Sequence, residues 1–167
     1  MITMGKPMGN GIPISGLAAK EDVLAAFSDK LPYFNTFGGN PVSIAAAQAV
    51  LKYIKEENLQ EHCKKAGAAL LKALKEVQER HPESVGDVRG AGLFLGFEFV
   101  KNDGNKTPDK DMALNVIEML RDEHILTSVI GHYGNILKLR PPMVFSENDI
   151  DWFATSLDKC ITKLENK

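Results

Sequence analysis

The stretch from Ile2 to Gly16 reads ITMGKPMGNGIPISG and joins a short apolar run, one lysine and a glycine-rich loop. Lys6 follows the β-prone residues Ile2–Met4, so the pattern predicts a lysine at the end of a strand, where a rigid element aims its ammonium group. The glycines that follow would let the backbone approach a ligand closely, because glycine has no Cβ. The alternative is a solvent-exposed lysine beside an ordinary turn, since most lysines are exposed.

Two phosphate-binding motifs are excluded at this lysine. A P-loop places its glycines before the lysine and a Ser or Thr directly after it, whereas here Pro7 follows Lys6 and more glycines come later. Pro7 also argues against a helix that begins at the lysine. The dinucleotide fingerprint G-x-G-x-x-G fails because an Ile-Pro-Ile run follows Gly9 and Gly11. The stretch therefore does not predict nucleotide binding by either motif.

A second segment, Tyr33–Ser43, reads YFNTFGGNPVS and combines polar side chains with a glycine turn. Asn40 and Pro41 predict a helix start, because Asn is favoured as the N-cap and Pro as the first helical residue. Exposed backbone amides beside the Thr36 hydroxyl would suit a phosphate group, and Asn35 is a further polar candidate there.

Together with two later segments, these stretches resemble the class III pyridoxal-phosphate (PLP) aminotransferases of fold type I. The four matching segments occur in the family's order: Met4–Gly16 (MGKPMGNGIPISG), Asn35–Pro41 (NTFGGNP), Val85–Leu93 (VGDVRGAGL) and Leu137–Met143 (LKLRPPM). The sequences of the first and last segments are most similar to the alanine–glyoxylate aminotransferase 2-like subgroup, whose members include phospho-lyases. The resemblance implies an α/β fold, with this chain as the C-terminal part of a fold type I PLP enzyme.

The resemblance also implies a domain organisation. Residues 1–40 would be the tail of the large PLP-binding domain with its Schiff-base lysine, residues 41–84 connecting helices, and residues 85–167 the small C-terminal α/β domain. Members of the family are homodimers that act on small amine substrates. The acidic partner of the pyridine nitrogen is expected outside these residues, so we expect the isolated chain to be inactive.

Three residues take cofactor roles by this resemblance. Lys6 resembles the lysine that forms the internal Schiff base with pyridoxal 5'-phosphate, and an amine there is suited to act as nucleophile and proton shuttle. Thr36 resembles the residue that binds the cofactor phosphate of the partner subunit, and Asn35 is a second candidate for that contact.

The terminal segment departs from the family pattern. Many members place an arginine, which forks onto the substrate carboxylate, at the position of Lys138. Strand alternation puts Lys138 and Arg140 on one face, so either could bind substrate. A lysine is a point charge without the planar fork, which favours a phosphorylated amine over an ordinary α-amino acid. Ile12 also stands where some phospho-lyase members carry a histidine, which leaves the substrate open between transaminase and phospho-lyase chemistry.

Composition agrees with an intracellular protein, and the choice between a mitochondrial and a cytoplasmic location stays open. The 167 residues carry a net charge of −2, which suggests no nucleic-acid partner. No apolar stretch approaches the ~18 residues of a membrane span. The four histidines and two cysteines lack the spacing of a metal site, and the two cysteines favour a reducing compartment.

Periodicity predicts a mixed order of strands and helices, with a mostly antiparallel sheet in the C-terminal part. Predicted strands are 2–4, 13–18, 93–100, 125–130 and 136–139, and predicted helices are 20–27, 41–57, 59–80, 109–124 and 147–164. The last helix should be capped by Ser146 and Asp149.

Two functions remain: a class III enzyme represented by its C-terminal portion, or a noncatalytic fragment that serves as a dimerisation or interaction module.

Overall fold

The computed structural model describes residues 1–166, which fall into two compact units, 1–58 and 59 onward. Unit 1 contains β1 (Ile2–Met4), a short 3-10 helix (Lys6–Gly9), β2 (Gly16–Ala18), α1 (Glu21–Ser28) and α2 (Pro41–Glu56). Unit 2 contains α3 (Leu59–Arg80), β3 (Val85–Ala91), β4 (Phe94–Phe99), α4 (Lys110–Asp122), β5 (Ser128–Ile130), β6 (Ile136–Leu139) and α5 (Glu147–Glu165). The proposed large-domain tail, connector and small domain stay a prediction.

Unit 1 is built on a two-stranded antiparallel ladder. β1 and β2 pair from Ile2 opposite Ala18 to Met4 opposite Gly16. β2 is shorter than the predicted strand 13–18, because β1 offers only three residues for pairing. α2 begins as predicted, since Asn40 Oδ1 accepts hydrogen bonds from the amides of the second and third helical residues at 3.0 and 3.2 Å.

Unit 2 is a four-stranded antiparallel sheet with strand order β3-β4-β6-β5, packed against three helices. Alternate residues of the central strands, among them Phe97 and Leu137, are fully buried against α3, α4 and α5. The predicted α/β fold and antiparallel sheet are confirmed. Among residues 1–166, no helix combines the length and apolar content needed to cross a bilayer.

The helices of unit 2 follow their predicted bounds closely. α3 spans the predicted residues 59–80 and buries Leu70, Leu74 and Val77 on one face. α5 begins at the predicted cap, where Ser146 Oγ donates to the Asp149 carboxylate at 2.6 Å and accepts from the Asp149 amide at 3.3 Å. This reciprocal capping box satisfies amides that the first helical turn leaves unpaired.

The segment Val85–Leu93 forms β3 and the turn after it, although periodicity did not predict a strand there. Its glycines explain the missing signal: the ladder with β4 is irregular at Gly86, and Gly92 adopts a φ of +53° in the turn. A Cβ on Gly67 of α3 would collide with the backbone of Gly92. The turn therefore packs directly on the helix, which only a glycine in α3 permits.

Candidate functional site

Lys6 lies two residues beyond the last residue of the strand at whose end it was predicted. β1 ends at Met4, Gly5 is extended, and Lys6 begins the 3-10 helix with a φ of +48°. The expectation that Pro7 prevents a helix at this lysine is wrong for so short a turn, because a proline in the first turn has no amide to satisfy. The left-handed conformation is uncommon for lysine and costs on the order of 1 kcal/mol.

The exposed Lys6 side chain lines a cavity of about 650 Å³ within unit 1. Asn35, Ser15 and Ser43 line the same cavity, and its apolar walls include Ile14, Phe37 and Ile44. The structure therefore brings together Lys6 and Asn35, both predicted, and adds two hydroxyl groups that sequence reasoning missed. Ser43 is the third residue of α2, in its first turn. The helix start predicted at Asn40 and Pro41 is the signal that could have identified it.

The Asn35 side chain is already engaged within its own loop. Its Oδ1 accepts from the amides of Phe37 and Gly38 at 3.1 and 3.0 Å, and its Nδ2 donates to the Tyr33 hydroxyl at 3.1 Å. These amides are therefore not free for a phosphate, contrary to the expectation for this segment. Thr36 is exposed and is not among the residues that line the Lys6 cavity.

The Lys6 cavity provides part of what a PLP group requires. It offers an amine for the aldehyde carbon, and hydroxyl and amide groups that can donate to a phosphate. No Asp or Glu is among the lining residues, so this cavity does not supply a carboxylate for the pyridine nitrogen. The donor set fits the aldehyde and phosphate ends of the cofactor.

A second cavity, of about 440 Å³, lies within unit 2 and is lined by both Lys138 and Arg140. Lys138 is half-buried and Arg140 is exposed. Two hydroxyl residues missed by sequence reasoning, Thr127 and Ser128, line the same cavity, and its remaining lining is apolar. The two cations, either of which was predicted to bind substrate, therefore line the same cavity.

Within the part of the chain that the structure describes, no carboxylate pairs with Lys138 or Arg140. The lining of the unit 2 cavity contains no Asp or Glu, and among residues 1–166 no ion pair joins Lys138 or Arg140 to a carboxylate. Apolar walls reduce the screening of charge by water. The cavity can therefore accept an anionic group.

Arg89, the cation of the third family segment, is engaged differently. Its guanidinium contacts the carboxylates of Glu98 and Asp87, both at 2.6 Å. The hydrogen bond to Glu98, followed by that to Asp87, raises the pKa of Arg89. Its charge is balanced by two acids on the sheet, so Arg89 is not an anion ligand of the kind that Lys138 and Arg140 can be.

The remaining candidate groups have structural contacts. Buried His81 contacts Glu165 at 2.7 Å and Asp158 at 3.2 Å, and His62 contacts the carbonyl oxygen of Phe145 at 3.0 Å. Burial raises the pKa of the Cys160 thiol, which disfavours the reactive thiolate. Within residues 1–166, no three His, Cys, Asp or Glu side chains are placed to hold a metal ion.

Comparison with known proteins points to the same family as the four sequence segments. The family model for "Aminotransferase class-III" matches residues 1–161. The "Ethanolamine-phosphate phospho-lyase homolog 1" of Caenorhabditis elegans is 44% identical over 163 residues, which are 97% of this chain and 35% of that protein. The "Alanine--glyoxylate aminotransferase 2-like" protein of Drosophila melanogaster is 39% identical over 164 residues, 97% of this chain and 33% of that protein.

A solved structure shows the same fold. A phospholyase from Arthrobacter in complex with phosphoethanolamine matches with a TM-score of 0.91 and 39% identity, over 96% of this chain and 38% of that one. The chain thus spans about a third of the length of the curated relatives it matches. Because the family model covers nearly the whole chain, the chain belongs to the class-III aminotransferase family.

Proposed function

We propose that the protein carrying this chain is a PLP-dependent enzyme that acts on a small amine bearing an anionic group, with phosphate as the preferred anion. The observation that carries this proposal is the unit 2 cavity, which contains Lys138 and Arg140 but no carboxylate. Similarity to a phospholyase in complex with phosphoethanolamine supports the choice of phosphate.

Lys6 is the proposed catalytic residue. Bound PLP supplies an electron sink that stabilises negative charge on the carbon next to the substrate nitrogen. Lys6 would hold the cofactor through its Nζ and move a proton at that carbon, because a neutral amine can accept a proton and return it. Asn35 and, from a partner subunit of a homodimer, Thr36 remain proposed ligands of the cofactor phosphate.

Lys138 decides between the two reaction classes of the family. A lysine presents three rotatable donors around one point charge, which suits the several oxygens of a phosphate better than the plane of a carboxylate. This favours phosphate release from a phosphorylated amine, while transamination remains the alternative if Arg140 forks onto a carboxylate instead.

The test assays both reactions with one preparation of the whole protein. We expect phosphate release from phosphoethanolamine to be faster than amino transfer from alanine to a keto acid. Lys138→Arg should shift the ratio toward amino transfer, whereas Lys159→Arg, at an exposed position of α5, should leave it unchanged. Rapid alanine transamination with no phosphate release would refute the proposal.

The alternative, a noncatalytic dimerisation or interaction module, is not favoured, because the chain matches a family of enzymes. We propose that this chain alone does not turn over substrate, because its Lys6 cavity offers no carboxylate for the pyridine nitrogen. Titration of PLP into the purified chain, followed by assay of candidate amines, tests this. Tight stoichiometric binding with multiple turnovers would contradict it. A mitochondrial or cytoplasmic location stays a prediction.

A further inference from the structure

Two adjacent hydroxyl residues, Thr127 and Ser128, line the unit 2 cavity but have different surroundings. The Thr127 hydroxyl donates to the backbone carbonyl of Lys138 at 3.4 Å, across the ladder between β5 and β6. That bond holds the start of β5 against β6. No such hydrogen bond engages the Ser128 side chain among residues 1–166, and the residue is exposed.

The strand register places Ser128 directly opposite Lys138. β5 and β6 pair antiparallel with Ser128 opposite Lys138 and Val129 opposite Leu137. Directly paired residues project to the same face of a sheet, and their Cβ atoms lie about 5 Å apart. Leu137 is fully buried, so it marks the core face, and Ser128 and Lys138 share the other face.

We propose that Ser128 determines specificity by binding the phosphate group of the substrate together with Lys138. This inference rests on the proposed function. Lys138 supplies charge without a preferred direction, whereas the Ser128 hydroxyl donates one directed hydrogen bond to a second phosphate oxygen. A carboxylate has only two oxygens to share among these donors, so the pair favours phosphate over carboxylate.

The charge pattern of the sheet supports Lys138 over the other cation of the same cross-strand row, Arg89. Across the sheet, Lys138 is paired with Gly96 of β4 and Gly96 with Arg89 of β3, so both cations lie in one row with Ser128. Arg89 is neutralised by Asp87 and Glu98. Among residues 1–166, no ion pair joins a carboxylate to Lys138, which lies at the end of the row that carries the hydroxyl.

The test uses the PLP-loaded whole protein, whose cofactor occupies its own phosphate site. It measures two constants: the inhibition constant of inorganic phosphate against amine turnover, and the KM for phosphoethanolamine. Ser128→Ala should raise both constants roughly tenfold, the loss expected for one hydrogen bond to a charged group. Ser128→Thr should restore both to within about twofold of wild type, because it keeps the hydroxyl. Thr155→Val, which removes an exposed hydroxyl of α5 outside the cavity lining, is the matched control and should leave both constants at the wild-type value.

The outcomes separate this inference from the proposed function. If wild type releases phosphate but Ser128→Ala has wild-type constants, the inference is overturned and the proposed function stands. If Ser128→Ala weakens the inhibition of amino transfer by inorganic phosphate in a protein that releases no phosphate from any amine tested, the anion subsite stands and the proposed function fails. An equal effect of Thr155→Val would overturn the assignment to Ser128.

A second variant guards against misfolding of the first. Ser128→Asp places a carboxylate opposite Lys138, where it would pair with the ammonium group and repel an anion. Phosphate inhibition should be lost in this variant while its thermal unfolding midpoint stays close to that of wild type. Retained phosphate inhibition would overturn the proposal.

Discussion

The two units of the chain bury their apolar side chains to very different extents. Unit 2 encloses a continuous core, in which Phe97 and Leu74 are fully buried. In unit 1, Gly9 alone is buried, and Phe34 and Phe37 are each 86% exposed. Neither α1 nor α2 has a buried residue, yet α2 begins at a side-chain cap, Asn40.

Local sequence signals and the burial of apolar side chains therefore contribute separately to this fold. Asn40 and Pro41 set the start of α2 without any core beneath the helix. In unit 2, burial of apolar surface contributes about 25 cal/mol per Å² in addition to the caps. Substitutions in unit 2 should therefore change the free energy of unfolding far more than similar substitutions in unit 1.

The largest expected effect separates two phenylalanines. Phe97→Ala removes a fully buried ring and should lower the free energy of unfolding by about 3–5 kcal/mol. Phe37→Ala removes an exposed ring and should change it by less than about 0.5 kcal/mol. Urea unfolding of both variants measures this, and equal losses would contradict the comparison.

A smaller effect is expected at Gly67, where helix propensity and packing oppose each other. At an exposed helical position, Gly→Ala stabilises by roughly 1 kcal/mol. Gly67→Ala should instead destabilise unit 2 by about 2 kcal/mol, because the new Cβ collides with the backbone at Gly92. Ala68→Gly, on the exposed side of α3, is the matched control, with an expected loss of about 1 kcal/mol. A stabilised Gly67→Ala would show that the turn moves aside freely.

The capping box of α5 should contribute less again. Ser146→Ala removes the hydroxyl that bonds to Asp149 and should cost about 1 kcal/mol. Thermal unfolding monitored by a probe in unit 2 checks this value. Ser146→Thr is the control, because it retains the hydroxyl, and a loss as large as that of the alanine variant would argue against the cap.

The smallest expected effect is a pH dependence that distinguishes the caps of the two units. The Ser146 hydroxyl, followed by the Ser146 amide, lowers the pKa of Asp149. A lowered folded-state pKa stabilises the protein above the unfolded value of about 3.9, and this contribution is lost as the pH falls through the folded value. Wild type should therefore lose stability below about pH 4 more steeply than Asp149→Asn. The Asn40 cap of α2 has no titrating group, so Asn40→Asp alone should introduce such a dependence in unit 1.

Much of this architecture could be predicted from the sequence because its signals are local. The bounds of α3 follow from apolar spacing, and the caps at Asn40 and Ser146 follow from side chains that bond to nearby amides. The strand β3 was missed because Gly86 and Gly90 weaken its β pattern. Gly86 lies against the Val100 side chain, and Gly90 lies against Phe94 and Leu95 of the paired strand β4, so both glycines serve the pairing of two strands. β5 begins three residues later than predicted, because its pairing with β6 starts at Ser128.

The candidate site could be predicted only in part, for the same reason. Lys6, Lys138 and Arg140 were proposed as site residues from motifs, and the structure has the last two lining one cavity. Ser128 became visible only through its register opposite Lys138, which depends on how two strands pair. The left-handed backbone of Lys6 has no sequence signal, because it results from the short turn that follows the strand.

The most direct test of the account concerns Lys6. We expect PLP mixed with the whole protein to attach covalently to Lys6, so that borohydride reduction makes the bond permanent and peptide mapping finds the pyridoxyl group on the peptide containing Lys6. Lys6→Ala should lose this label, while Lys20→Ala, at another position of unit 1, should keep it. Labelling spread over several lysines and unchanged in Lys6→Ala would contradict the claim that Lys6 is the catalytic amine.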